Sequence, residues 1–299
     1  MRWGDFRQSE NVEERGDGGS SGGGLLGGGG VKLGGGAIVI VVIASLLFGV
    51  NPLEMLGMLN GDGGPAPPQQ QAAPASGYGP APPQSAARSE AKEKVSRVLG
   101  DTEDVWGSVF KSMGSHYDPP KLVLFRGRTQ SACGRASTAV GPFYCSGDRE
   151  VYLDTAFFDD LARLGAPGDF AQAYVVAHEV GHHVQKLMGI MDQFDQQMQR
   201  TDARGRPALS MRLELQADCF AGIWGASARK RNLLDPGDIE AGLRAAAAVG
   251  DDRIQKQTQG MVVPESFTHG SSEQRTKWFR VGLDTGDVRN CNTFAARGL

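Results

Sequence analysis

Apolar and polar positions divide this chain into stretches with different periods. Residues 37–50, from Ala37 to Val50, carry no charge, and with their uncharged flanks the stretch reaches about 20 residues, enough to cross hydrocarbon as one helix. From Arg88 to Met113, Val95, Val98, Leu99, Val105, Trp106, Val109 and Phe110 recur at helical spacing. Leu122-Val123-Leu124-Phe125 and Glu150-Val151-Tyr152-Leu153 are short apolar runs, which predicts strands. Helical spacing returns near residues 157–164, 169–188, 207–230, 237–256 and 272–283. Strands first and helices later predict an α+β domain over residues 88–299, with a small antiparallel or mixed sheet and several helices.

The remaining stretches lack such periods. Residues 1–33 are polar and charged, then glycine-rich, and cannot bury enough apolar surface to offset their ordering entropy, so disorder is expected. Residues 34–56 are expected to form one transmembrane helix. The charged lead-in and the lack of a nearby small-x-small site argue against a cleaved signal peptide. Residues 57–87 are rich in Pro, Gln and Ala, the composition of an extended linker.

Charge sets the expected orientation. Arg2, Arg7, Arg15 and Lys32 precede the apolar stretch, and no Lys or Arg follows it until Arg88. The expectation is a single-pass protein of the cell membrane with a cytoplasmic N-terminus and an exported domain. A formal net charge of −3 with no basic stripe gives nucleic-acid binding no electrostatic support. Cys133, Cys145, Cys219 and Cys291 permit two disulfides in an exported domain, with three connectivities open. The expected pairs are Cys133–Cys145 and Cys219–Cys291, with a free, buried Cys219 as the alternative.

Candidate chemistry lies in the helical region. His178-Glu179-Val180-Gly181-His182 places two imidazoles one turn apart on one helical face, where both can reach one ion. Glu179 is then placed to hold a water on that ion, the arrangement of a zinc peptidase. Gly181 in a helix interior calls for a packing or access reason, such as close approach of another backbone or of substrate. Downstream, Glu214 and Asp218 lie four apart among Leu213, Leu215, Ala217, Cys219 and Phe220. Against a solvated acidic pair, this apolar setting favours burial with a compensating cation. Glu214 is the candidate third metal ligand, and Asp218 the candidate acceptor from the far nitrogen of His178. His269 precedes a helix N-cap at Ser271 or Ser272 and is a candidate donor to a developing oxyanion. Arg275 is a candidate anchor for that loop or for an acidic partner. An ordinary surface histidine and arginine are the alternative for this last pair.

Several stretches together resemble the bacterial "putative neutral zinc metallopeptidase" family. They are Met1-Arg2-Trp3, Ser9 to Gly16, Ser131 to Gly134, Gly141 to Cys145, Val151 to Asp154, His178 to Gln185, Glu214 to Phe220 and His269 to Arg275. The resemblance implies a membrane-anchored bacterial protein with an exported zincin-like domain. The Glu-x-x-x-Asp element also resembles gluzincins, which implies Glu214 as third zinc ligand with Asp218 beside it. Membrane gluzincins carry a later His–Arg pair spaced like His269 and Arg275.

The expected activity is that of a zinc-dependent endopeptidase acting on protein or peptide substrates outside the cytoplasm. Zn²⁺ would be held by His178, His182 and Glu214, with Glu179 as base and His269, aided by Tyr152 or Tyr174, at the oxyanion. The strand Glu150–Asp154 is a candidate sheet edge for an extended substrate. Two other functions share these residues: a zinc-containing scaffold that binds peptides without cleaving them, and a zinc amidase acting on cell-wall peptides.

Overall fold

Two apolar strands, β2 (Lys121–Phe125) and β6 (Glu150–Asp154), pair in parallel at the centre of a sheet in the computed structural model. The structure describes residues 1–16, 83–137 and 141–297. Burial along both strands is nearly continuous, as for strands covered on both faces. On the outer side of β2 lies β1 (Val12–Glu14), in parallel, and on the outer side of β6 lies β5 (Phe143–Cys145), antiparallel. The order is therefore β1–β2–β6–β5. The strand expected at the edge, β6, is interior, and β5 holds the edge instead. A separate hairpin, β3 (Arg128–Ser131) and β4 (Gly134–Ser137), is fastened to β5 by the Cys133–Cys145 disulfide.

Eight α-helices are present among the described residues: α1 (Pro83–Ser112), α2 (Phe157–Arg163), α3 (Asp169–Leu187), α4 (Ile190–Arg200), α5 (Arg206–Lys230), α6 (Asp238–Ala248), α7 (Asp251–Gln259) and α8 (Ser272–Thr285). Most of α3 and α5 is buried on every side, as for helices at the centre of a core rather than on its surface. They pack against each other and carry the candidate ligands. One apolar cluster runs from Phe6 and α1 through β2, β6, α3 and α5 to Phe279 and Cys291. The Cys219–Cys291 disulfide ties the C-terminal segment to α5. Both expected pairings are therefore present.

The apolar periods locate α2, α3, α5 and α8 to within two residues of their observed ends. The single helix expected over 237–256 is broken at Gly250, whose backbone is extended and where a Cβ would lie 2.4 Å from the Ser272 backbone nitrogen. Strands β1, β3, β4 and β5, of three or four residues each, are too short to show a period.

The domain boundaries need one correction. Residues 1–16 of the segment expected to be disordered are folded onto the domain, with Phe6 only 3% exposed. Residues 17–33 and the expected membrane helix 34–56 lie outside the described residues, as does most of the expected linker. The described part of α1 starts within that linker, at Pro83. Among the described residues, no helix is long and apolar enough to cross a membrane.

Candidate metal centre

The spacing His-x-x-x-His does place both imidazoles on one face of α3. That face meets α5 where Gly181 lies against Ala217: a Cβ at 181 would sit 3.0 Å from the Ala217 carbonyl oxygen. The close approach sets Glu214, one turn before Ala217 on α5, opposite the two histidines. His178 Nε2 lies 3.3 Å from Glu214 Oε2, and His182 Nε2 lies 3.5 Å from Glu214 Oε1. One donor atom from each of the three residues falls within 4.8 Å of the others. Zinc bonds of about 2.0–2.2 Å in a tetrahedron separate neighbouring ligand atoms by roughly 3.3–3.5 Å. The two measured separations, one to each oxygen of Glu214, are of that size, and one imidazole pair with a carboxylate is a donor set that suits zinc.

The far nitrogens explain why both Nε2 atoms turn inward. His178 Nδ1 is 2.9 Å from Asp218 Oδ1, and His182 Nδ1 is 2.9 Å from Gln185 Oε1. With Nδ1–H donating in each case, the Nε2 lone pair is left for a cation. Asp218 is fully buried. It also accepts from the Tyr174 hydroxyl, and Arg275 donates to it through Nε at 2.8 Å and Nη2 at 2.9 Å. Gln185 is fixed in turn by donating to Leu213 O at 2.7 Å. Glu214 has no lysine or arginine within ion-pair distance among the described residues; its near partners are the two imidazoles. A buried carboxylate so placed calls for a cation.

Titration behaviour follows from this burial. Burial opposes charge on His178, yet Asp218, joined by Glu214, raises its pKa to about 9. Burial lowers His182 to about 4, outweighing Glu214. Burial also lifts Glu179 to about 7, with Glu214 adding to the effect against His178 and Arg275. The Tyr144 backbone N–H lies near enough to the Glu179 carboxylate to work against that rise, which brings the edge strand β5 to the site.

His269 is buried as well. Its Nδ1 is 2.9 Å from Asp251 Oδ1. The other oxygen of Asp251 accepts the backbone N–H groups of Thr268, His269 and Gly270 at 2.7, 2.7 and 3.2 Å. Burial works against a charged His269, but the Asp251 carboxylate prevails and raises its pKa. His269 Nε2 is buried and has no hydrogen-bond partner among the described residues, and His269 is close enough to Glu214 to lower that group's pKa. Arg275 is not a surface residue; it is the buried cation of Asp218.

Two expectations fail. The Tyr152 hydroxyl bonds Asp148 and Glu150, and its ring stacks on Phe143 in a separate cluster, so it takes no part in the site. The Tyr174 hydroxyl is occupied by Asp218 and Arg275 and supports His178 instead of facing a substrate. Two partners of the site, Gln185 and Asp251, are not among the residues expected from the sequence. Gln185 stands three residues after His182, a spacing that marks helical neighbours. Asp251 lies on another element from His269, and no local spacing signals it.

Comparison with known proteins adds a further finding. The family profile described as "Putative neutral zinc metallopeptidase" matches residues 1–294. The chain is 48% identical over 295 residues to the uncharacterized protein YpfJ of Escherichia coli K12, covering 98% of this chain and 99% of that protein. Uncharacterized proteins of Mycobacterium tuberculosis H37Rv and Mycobacterium bovis are each 48% identical over 204 residues, 64% of this chain and 68% of theirs. No solved structure matches.

Proposed function

The chain belongs to this family of neutral zinc metallopeptidases, and from that premise we propose that it is a zinc-dependent endopeptidase hydrolysing peptide bonds of protein or peptide substrates. The observation that carries the reading is the convergence of His178, His182 and Glu214 donor atoms within 4.8 Å on two buried helices, with Glu179 adjoining. His178, His182 and Glu214 would hold the metal, which when bound supplies a Lewis acid that polarises the scissile carbonyl and makes water easier to ionise. Glu179 removes the proton of the attacking water and passes it to the leaving amine. Burial raises the carboxyl to about 7 in the metal-free protein, and the bound metal's charge would lower it, leaving the carboxylate ready to take the proton. His269, held by Asp251, offers its Nε2 proton to the developing oxyanion. The edge strand β5 presents backbone groups beside Glu179, which supports pairing with an extended substrate segment there.

Two disulfides support action in an oxidising compartment outside the cytoplasm, and the apolar segment 34–56 would hold the protein to a membrane. Glu179→Gln tests the central claim. The expected result is retained zinc, measured by metal analysis of the purified protein, with loss of peptide hydrolysis by at least a hundredfold. Proteome-wide comparison of new N-termini in cells carrying either form identifies the substrates. A metal-loaded Gln variant as active as the parent would remove Glu179 as base.

A further inference from the structure

Residues 1–16 belong to the domain by contact, although residues 17–82 separate them from the described part of α1. Strand β1 runs parallel to β2. The ladder continues at both ends, Leu122 N–H donating to Asn11 O at 2.7 Å and Arg15 N–H to Leu124 O at 2.8 Å. Glu103 on α1 accepts from Arg7 Nη2 at 2.7 Å, Ser9 Oγ at 2.6 Å and Asn11 Nδ2 at 2.8 Å. Arg97 Nη1 donates to the carbonyls of Gly4 and Phe6 at 3.0 and 2.7 Å. The side chain of Phe6 enters the main apolar core.

The α1 sequence itself records this contact. Gly100 stands in the interior of the helix, where glycine is unfavourable relative to alanine. A Cβ at 100 would lie 2.3 Å from the Arg7 carbonyl oxygen and 3.0 Å from the Ser9 nitrogen. Passage of the N-terminal arm is what requires the glycine.

We infer that residues 1–16 and the domain of residues 89–297 occupy the same side of any membrane the chain meets. A single crossing by the apolar stretch 37–50, the arrangement expected from the placement of Lys and Arg, puts them on opposite sides. That arrangement and the paired arm exclude each other. It would strip β2 of its outer neighbour, open the core at Phe6 and leave the Glu103 carboxylate, itself only 9% exposed, without its three donors. No arm residue touches the metal centre, so the inference stands whether or not the site is a peptidase.

Variants of the full-length chain with one added cysteine each test it: Glu10→Cys on the arm, and Lys111→Cys and Lys230→Cys on the domain, all at exposed positions. Intact cells are treated with a membrane-impermeant maleimide, with the parent chain correcting for its own cysteines and permeabilised cells giving full labelling. The expected result is one pattern for all three positions, labelled together or protected together. Labelling of position 10 with protection of both 111 and 230, or the reverse, would overturn the inference.

Discussion

Zinc uptake by this chain should release protons, and their number follows from how the buried charges balance. Asp218 is matched by Arg275 at 2.8 and 2.9 Å. Asp251 is matched by His269, whose pKa it raises. Two buried carboxylates, Glu179 and Glu214, are then left, and a divalent ion balances both. In the metal-free protein, protons take its place: His178 is raised to about 9 and Glu179 to about 7. At pH 7 that is close to one proton on His178 and roughly half a proton on Glu179. Zinc needs the Nε2 lone pair of His178, and its charge lowers the pKa of Glu179, so binding should release about 1–1.5 protons at pH 7. Calorimetric titration of the metal-free protein with zinc, in two buffers of different ionisation enthalpy, counts them directly. The apparent affinity should then rise about 10- to 30-fold per pH unit near pH 7, and only about threefold per unit as pH approaches 9. The sign for stability is the opposite. His178 is raised above its ordinary 6.5, so its protonated form stabilises the metal-free fold below about pH 6.5 and loses that contribution as pH rises through 9. The gain in Tm on adding zinc should therefore widen from pH 6 to 9. Release of less than half a proton at pH 7, with zinc bound at one equivalent, would refute the charge balance.

Asp218→Asn should weaken zinc binding about 10- to 100-fold, because His178 loses the carboxylate that fixes its tautomer. It should also cost about 3–5 kcal/mol of stability by leaving Arg275 buried without its partner. Competition with a chelator and denaturant unfolding measure the two effects, and an unchanged zinc affinity would place Asp218 outside the site. Gly181→Ala should force α3 away from Ala217. An overpacking cost of about 1–3 kcal/mol exceeds or offsets the roughly 1 kcal/mol that alanine contributes as a helix former, and the shift of Glu214 should lower zinc affinity. Unchanged affinity with raised stability would show that the close contact does not set the ligand spacing.

The ligands were legible because each lies within one helix. A four-residue spacing fixes His178 against His182, and Glu214 against Asp218, whatever else the chain does. The apolar neighbours of Glu214 and Asp218 signal burial, and a buried acid needs a positive partner. What no spacing within a helix supplies is the partner from elsewhere in the chain. Asp251 reaches His269 only because α7 starts beside the loop before α8. The arm reads as disordered because composition describes what a segment can bury by itself. It says nothing of Phe6 entering a core made by other residues, or of a three-residue strand completing a sheet.

One kind of residue does carry long-range information. A glycine inside a helix opposes the helix's own preference, so close approach of another segment is one reason for it, although Gly107 on α1 has no such neighbour within 4 Å. Gly181 was read in this way, and its neighbour is the α5 backbone that brings Glu214 to the histidines. The same reasoning applies at Gly282 on α8, where a Cβ would lie 1.9 Å from the Cys219 carbonyl oxygen. That contact holds α8 against α5 and so delivers Arg275 to Asp218. At Gly100 the neighbour is the backbone of the N-terminal arm. At these three positions a backbone passes close by, and the glycine does not say which one. The sequence therefore marks where the distant contacts fall, and the fold identifies their partners.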